Sequence, residues 1–82
     1  MEDVIVNLIE EFKSSISGQL VDRGRVVDQL LDLRLVAHDQ PHLTALLDEV
    51  LTGLPGRNVV EAAWWSETLD RLALAATPQP VV

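Results

Sequence analysis

Hydrophobic residues recur at intervals of three and four along most of the chain, in four stretches separated by glycine, proline and polar residues. This spacing places them on one face of an α-helix. The stretch from Val26 to Ala37 is the most apolar, and only Asp28, Gln29 and Asp32 give it a clearly polar sector. We therefore expect this second helix to contact more than one neighbour and to lie at the centre of the domain.

Capping residues and helix breakers predict the bounds of the first two helices. The first helix should run from about Glu2 to Ser17, with Gly18 as the residue that follows its C-cap. Asp22 is the expected N-cap of the second helix, and the apolar residues just before it should pack back on the helix as a hydrophobic staple. The second helix should end near His38.

The last two helices are predicted in the same way. The third should follow an N-cap at Asp39 and end at Gly53. The fourth should begin with a capping box formed by Asn58 and Glu61 and should reach Ala76.

These helices predict an all-α domain over residues 1–76, followed by a flexible tail over residues 77–82. The short connections favour a small four-helix bundle or paired helical hairpins. The pattern contains no alternating strand signal and no internal repeat.

The length of the chain limits the core that it can build. A domain of 82 residues buries a modest share of its surface, and the absence of cysteine excludes disulfides and thiolate metal sites. We therefore expect association to complete the fold. The lack of cysteine fits a reducing cytoplasm, the N-terminus does not resemble a secretory signal, and no apolar run approaches the length of a membrane span.

The adjacent residues Trp64 and Trp65 separate two interpretations of the fourth helix. Trp65 shares the core-facing stripe, whereas Trp64 projects to a different side. Either both indoles belong to the core of a monomer, or Val60, Trp64 and Leu74 form an exposed apolar patch with a charged fringe that includes Asp70. Because Trp and Arg are enriched at interaction hot spots, we predict a partner-binding surface, which comprises Leu35 on the second helix together with Val60, Trp64, Glu67, Arg71 and Leu74.

The residues that carry chemistry do not form a recognisable catalytic or metal-binding pattern. His38 and His42 have the spacing of a helical zinc pair, but Pro41 interrupts the helix between them and no third ligand follows. The pairs Asp28 with Asp32 and Glu67 with Arg71 are typical of a solvated helix face. The sequence therefore predicts a protein that is not an enzyme, with no catalytic residue, cofactor or metal.

The net charge of −7 influences the choice of partner. An acidic surface repels phosphate backbones, so nucleic acid is disfavoured, whereas a basic or amphipathic protein is not. The sequence predicts a protein–protein interaction module that acts as a homodimer or as a subunit or adaptor of a larger assembly. The alternative is a DNA-linked accessory, such as a small antitoxin or transcription-associated protein, that concentrates Arg23, Arg25 and Arg57.

Overall fold

The computed structural model describes residues 4–54 and 56–76. These residues are mostly helical, in broad agreement with the predicted all-α class, and they add a small two-stranded sheet. The elements in chain order are α1 (Val4–Ser14), β1 (Leu20–Asp22), α2 (Arg23–Val36), α3 (Pro41–Thr52), β2 (Val59–Glu61) and α4 (Ala62–Ala76).

The order helix–strand–helix occurs twice, and the two strands join the two units as an antiparallel ribbon. Val21 of β1 faces Val60 of β2 at the centre of the ribbon. Two backbone hydrogen bonds flank this pair: Arg23 N donates to Asn58 O at 2.8 Å, and Ala62 N donates to Gln19 O at 2.9 Å. Gln19 and Arg23 are separated in sequence from Asn58 and Ala62 by the same number of residues as Val21 is from Val60, so each bond is the counterpart of the other. The ribbon therefore has a local two-fold axis between the two valines.

The same offset relates the buried residues of α2 to those of α4, namely Val26 to Trp65, Leu30 to Leu69 and Leu33 to Leu72. An offset shorter by one residue relates Ile5 to Leu43 and Ile9 to Leu47 on α1 and α3. The offset changes by one because the connection between α3 and β2, residues 53–58, is one residue longer than the connection between α1 and β1, residues 15–19. The chain therefore contains a structural repeat, and the prediction of no internal repeat is wrong. These equivalent positions share burial, and three of the six buried pairs are identical, namely Val21 with Val60, Leu30 with Leu69 and Leu33 with Leu72. Most of the exposed equivalent positions differ, which hides the repeat in the sequence.

The helices enclose one hydrophobic core, in which α1 and α3 each pack against both α2 and α4. The buried face of α2 carries Val26, Leu30 and Leu33. Its outer face leaves Leu31 46% and Leu35 74% exposed. The second helix thus contacts several neighbours as predicted, but it lies at the edge of the core and not at its centre.

The sequence predicts other local structures at the two strands, namely a hydrophobic staple before α2 and a capping box before α4. Each strand has three residues with only the middle one buried, which is too short to give a recognisable alternation. Asp22 is the N-cap of α2 as predicted, with Oδ2 accepting from Arg25 N at 3.3 Å.

Two other predicted boundaries differ from the structure, and a third agrees with it. α1 ends at Ser14, and Gly18 lies in the following loop with a positive φ of 76° and not at the helix end. Gln40 occupies the N-cap position of α3 in place of Asp39, and its side chain makes no capping hydrogen bond. α3 ends at Thr52, with Gly53 as C-cap, as predicted. The predicted tail over residues 77–82 lies outside the described residues.

Among the helices that the structure describes, none combines the length and the apolar character that crossing a membrane requires.

Candidate functional site at the Trp64 seam

The two adjacent tryptophans of α4 occupy different environments. Trp65 is fully buried in the core, as predicted. Trp64 is half-buried and packs against that core from the side. The rings stack with centroids 6.3 Å apart and planes inclined by 23°. Trp64 therefore matches neither interpretation in full, because it is partly exposed and also supported by the core.

Trp64 borders two shallow surface hollows. The first has a volume of about 210 Å³ and is lined by residues of β2 and the preceding loop, namely Arg57, Val59, Val60 and Glu61. The second has a volume of about 170 Å³ and lies between α3 and α4, where its other lining residues are Leu46, Glu49, Val50, Gly53, Thr68 and Arg71. We call this surface the Trp64 seam, meaning Trp64 and the residues that line the two hollows.

The Trp64 seam has an apolar floor and a mixed charged edge. Val59 is 39% exposed beside the first hollow, where Arg57 and Glu61 supply one charge of each sign. Glu49 and Arg71 supply one charge of each sign at the second hollow. This arrangement suits an apolar side chain of a partner, flanked by groups that pair with the charges.

The structure brings some predicted partner-binding residues together and separates others. Trp64 and Arg71 line one hollow, and Trp64 and Val60 line the other. Glu67 is exposed on the same helix but does not line either hollow.

Val60 corrects the prediction of an exposed patch. It belongs to β2 and not to the fourth helix, and it is 3% exposed because the pleat directs the middle residue of the strand into the core. Only a small part of this side chain reaches the first hollow.

The two predicted leucines lie outside the Trp64 seam. Leu74 is 68% exposed on α4, and Leu35 is 74% exposed on α2. At about 100° and 1.5 Å per residue, Leu74 lies about 80° round α4 from Trp64 and about 15 Å further along its axis. Both residues remain predicted contacts for a partner, but they do not form one patch with Trp64.

Sequence reasoning missed the α3 side of the seam. The helical spacing of Leu46 and Val50 places both on the apolar face of the third helix, but nothing in the sequence indicates that this face meets Trp64. Arg57 was noted only as a potential nucleic-acid contact. The proximity of these residues follows from the packing of α3 against α4.

The two histidines contact different parts of the fold. His38 Nδ1 lies 3.1 Å from Leu35 O at the end of α2, and His42 Nε2 lies 3.2 Å from Ala75 O near the end of α4. Within residues 4–54 and 56–76, no group of three or more His, Cys, Asp or Glu residues could hold a metal ion.

No protein-family model, curated protein or solved structure matches this chain.

Proposed function

We propose that this chain is a small acidic protein–protein interaction module that binds its partner through the Trp64 seam. The observation that carries the proposal is the half-buried indole of Trp64, which is stacked on the fully buried Trp65 and bordered by two hollows. An aromatic ring that the core already holds in place loses little conformational freedom on binding. Tryptophan and arginine are also the residues most enriched at interface hot spots.

The partner that fits this surface carries apolar side chains with basic residues beside them. The net charge of the chain is −7, so it attracts a basic segment over a distance and repels an acidic one. Exposed Leu35 and Leu74 extend the apolar surface for a larger partner. The module acts as a homodimer or as a subunit or adaptor of a larger assembly, and the like charge of two copies favours the second form.

The experiment compares wild-type protein with Trp64→Ala and with Leu74→Ala, a matched control on the same helix that lies outside the seam. Sedimentation equilibrium measures self-association, and a titration with a synthetic helical peptide of leucine and arginine measures binding of a basic amphipathic segment. Trp64→Ala should weaken the interaction by about 30-fold or more, as expected for a hot-spot residue. Leu74→Ala should weaken it by less than about fivefold.

Far-UV circular dichroism of both variants checks that they remain folded. A wild-type chain that stays monomeric and does not bind the peptide would contradict the proposal. Equal effects of the two substitutions would contradict the role of the Trp64 seam.

A second candidate function is DNA-linked, and one observation favours it. The bond between Arg23 N and Asn58 O brings Arg23 close to the loop that contains Arg57, and Arg25 lies two residues further along in the same first turn of α2. Asp22 and Glu61 lie in the same ribbon and oppose phosphate binding. A salt titration with duplex DNA tests this candidate, since contacts with phosphates would make the logarithm of the binding constant fall steeply with the logarithm of salt concentration.

A further inference from the structure

Among the residues that the structure describes, two buried side-chain polar atoms lack a hydrogen-bond partner, and both belong to residues that line one cavity. They are Nε1 of Trp65, a donor, and Oε1 of Gln29, an acceptor. Buried polar atoms without partners are rare in folded proteins, and each one calls for an explanation such as a bound molecule. Trp65 is 0% exposed, so its N–H group has no access to the solvent around the protein.

The cavity has a volume of about 160 Å³ and lies between the α1–β1 loop and the start of α2. It is bordered by β1, whereas the Trp64 seam is bordered by β2. At about 30 Å³ per water molecule, it has room for about five waters or for one small molecule. Its lining includes the hydroxyl-bearing residues Ser15 and Ser17.

Ile16, Leu20 and Val21 give the cavity an apolar part of its wall, and the other polar lining groups fall into two complementary sets. Trp65 and Arg25 are donors, and the guanidinium of Arg25 carries a positive charge. Gln29 Oε1 and the carboxylate of Asp22 are acceptors, and Asp22 carries a negative charge. A ligand that satisfies both sets must present an anionic acceptor and a cationic donor within a short span.

We propose that this cavity binds a small zwitterion, a free α-amino acid with a side chain no larger than that of serine. Its carboxylate accepts hydrogen bonds from Arg25 and from Trp65 Nε1. Its ammonium group donates to Gln29 Oε1 and to Asp22. The site is independent of the Trp64 seam, so either proposal stands if the other fails.

The experiment uses the full chain with Trp64→Phe, which leaves Trp65 as the single indole. The probes are glycine, L-alanine and L-serine, with acetate and methylammonium as the two halves of the zwitterion. The readouts are the NMR shift of the Trp65 Nε1–H signal and the tryptophan fluorescence. The amino acids should give saturable shifts, and each half-ligand should bind at least about 10-fold more weakly, because it loses one charge-assisted contact.

Substitutions in the cavity identify the contacts. Gln29→Leu and Arg25→Gln should each weaken binding by about 10-fold or more. Arg34→Gln, a matched arginine substitution on the same helix and outside the cavity, should leave it unchanged. If Gln29→Leu does not fold, Gln29→Thr introduces the residue found at the equivalent position of α4 and should weaken binding in the same way.

Two results would overturn the proposal. An indole N–H signal that none of the three amino acids shifts would show that the cavity does not bind a small α-amino acid. Equal affinity for acetate and for glycine would show an anion site that does not recognise the ammonium group.

Discussion

The two halves of the molecule, α1–β1–α2 and α3–β2–α4, share one backbone plan and differ where each strand leads into the helix that follows it. In the first half, Arg25 and Gln29 border a polar cavity. The equivalent residues of the second half are Trp64 and Thr68, and the corresponding surface is the Trp64 seam with its two hollows. Trp64 is therefore the counterpart, in the second half, of Arg25 in the first half.

The halves also differ in how their polar groups are satisfied. The hydroxyl of Thr68 donates to Trp64 O at 2.8 Å within its own helix, whereas Gln29 Oε1 has no partner. A repeated backbone therefore carries two different surfaces, because two equivalent positions hold side chains of different size and polarity. The first half offers a small polar cavity, and the second offers an apolar anchor.

The largest expected effect concerns the equivalent core positions 26 and 65. Both Val26 and Trp65 are 0% exposed, but the indole fills far more of the core. Trp65→Ala should lower the free energy of unfolding by about 3–5 kcal/mol, and Val26→Ala by about 2 kcal/mol. Urea unfolding followed by circular dichroism measures both.

The chain is small, with an expected total stability of about 4–12 kcal/mol, so Trp65→Ala can unfold it. Trp65→Phe then supplies a milder substitution at the same site. Equal losses at positions 26 and 65 would contradict the unequal contribution of the two halves to the core.

The two connecting loops provide a smaller effect. Gly18 has a positive φ of 76° and no neighbouring atom that a Cβ would meet, so a side chain there is strained by the backbone alone. Gly56, in the other loop, also has open space but no positive φ. Gly18→Ala should cost about 1–2 kcal/mol, whereas Gly56→Ala should change stability by less than about 1 kcal/mol. Thermal unfolding of the two variants makes the comparison, and a loss at Gly56 as large as that at Gly18 would refute it.

The smallest effect concerns the ion pairs between the halves. Lys13 of α1 pairs with Asp70 of α4, and Arg34 of α2 pairs with Asp48 of α3 at 2.8 Å. The hydrogen bond to Asp70 raises the pKa of Lys13 above its ordinary value of 10.5. The pair therefore stabilises the fold below that value, and the contribution is lost as the pH rises through the raised pKa.

Lys13 is the single lysine, and the chain has no tyrosine or cysteine, so no other side chain is expected to titrate between about pH 9 and pH 12. The melting temperature should fall slightly over this range in the wild type. Lys13→Arg should remove most of the fall, because arginine keeps its charge. An identical fall in both proteins would assign the alkaline loss to another cause.

Sequence reasoning predicted part of the site and could not predict the rest. The distinction between buried Trp65 and the less buried Trp64 follows from helical projection alone. The prediction that Val60 is exposed on the fourth helix is wrong, because residues 59–61 form a strand that pairs with β1 and are not part of that helix. Leu46 and Val50 join the seam only because α3 packs beside α4, and the cavity beside Gln29 exists only because Trp65 reaches it from the other half.

The sequence by itself determined the number and type of the helices, the core face of each one, the cap at Asp22 and the acidic charge. These properties depend on local spacing and composition, which the linear order of residues contains. Only the tertiary structure decided the pairing of Val21 with Val60, the two-fold relation between the halves and the different surfaces at positions 25 and 64. They depend on contacts between residues far apart in the chain, which side-chain packing selects and which no local pattern records.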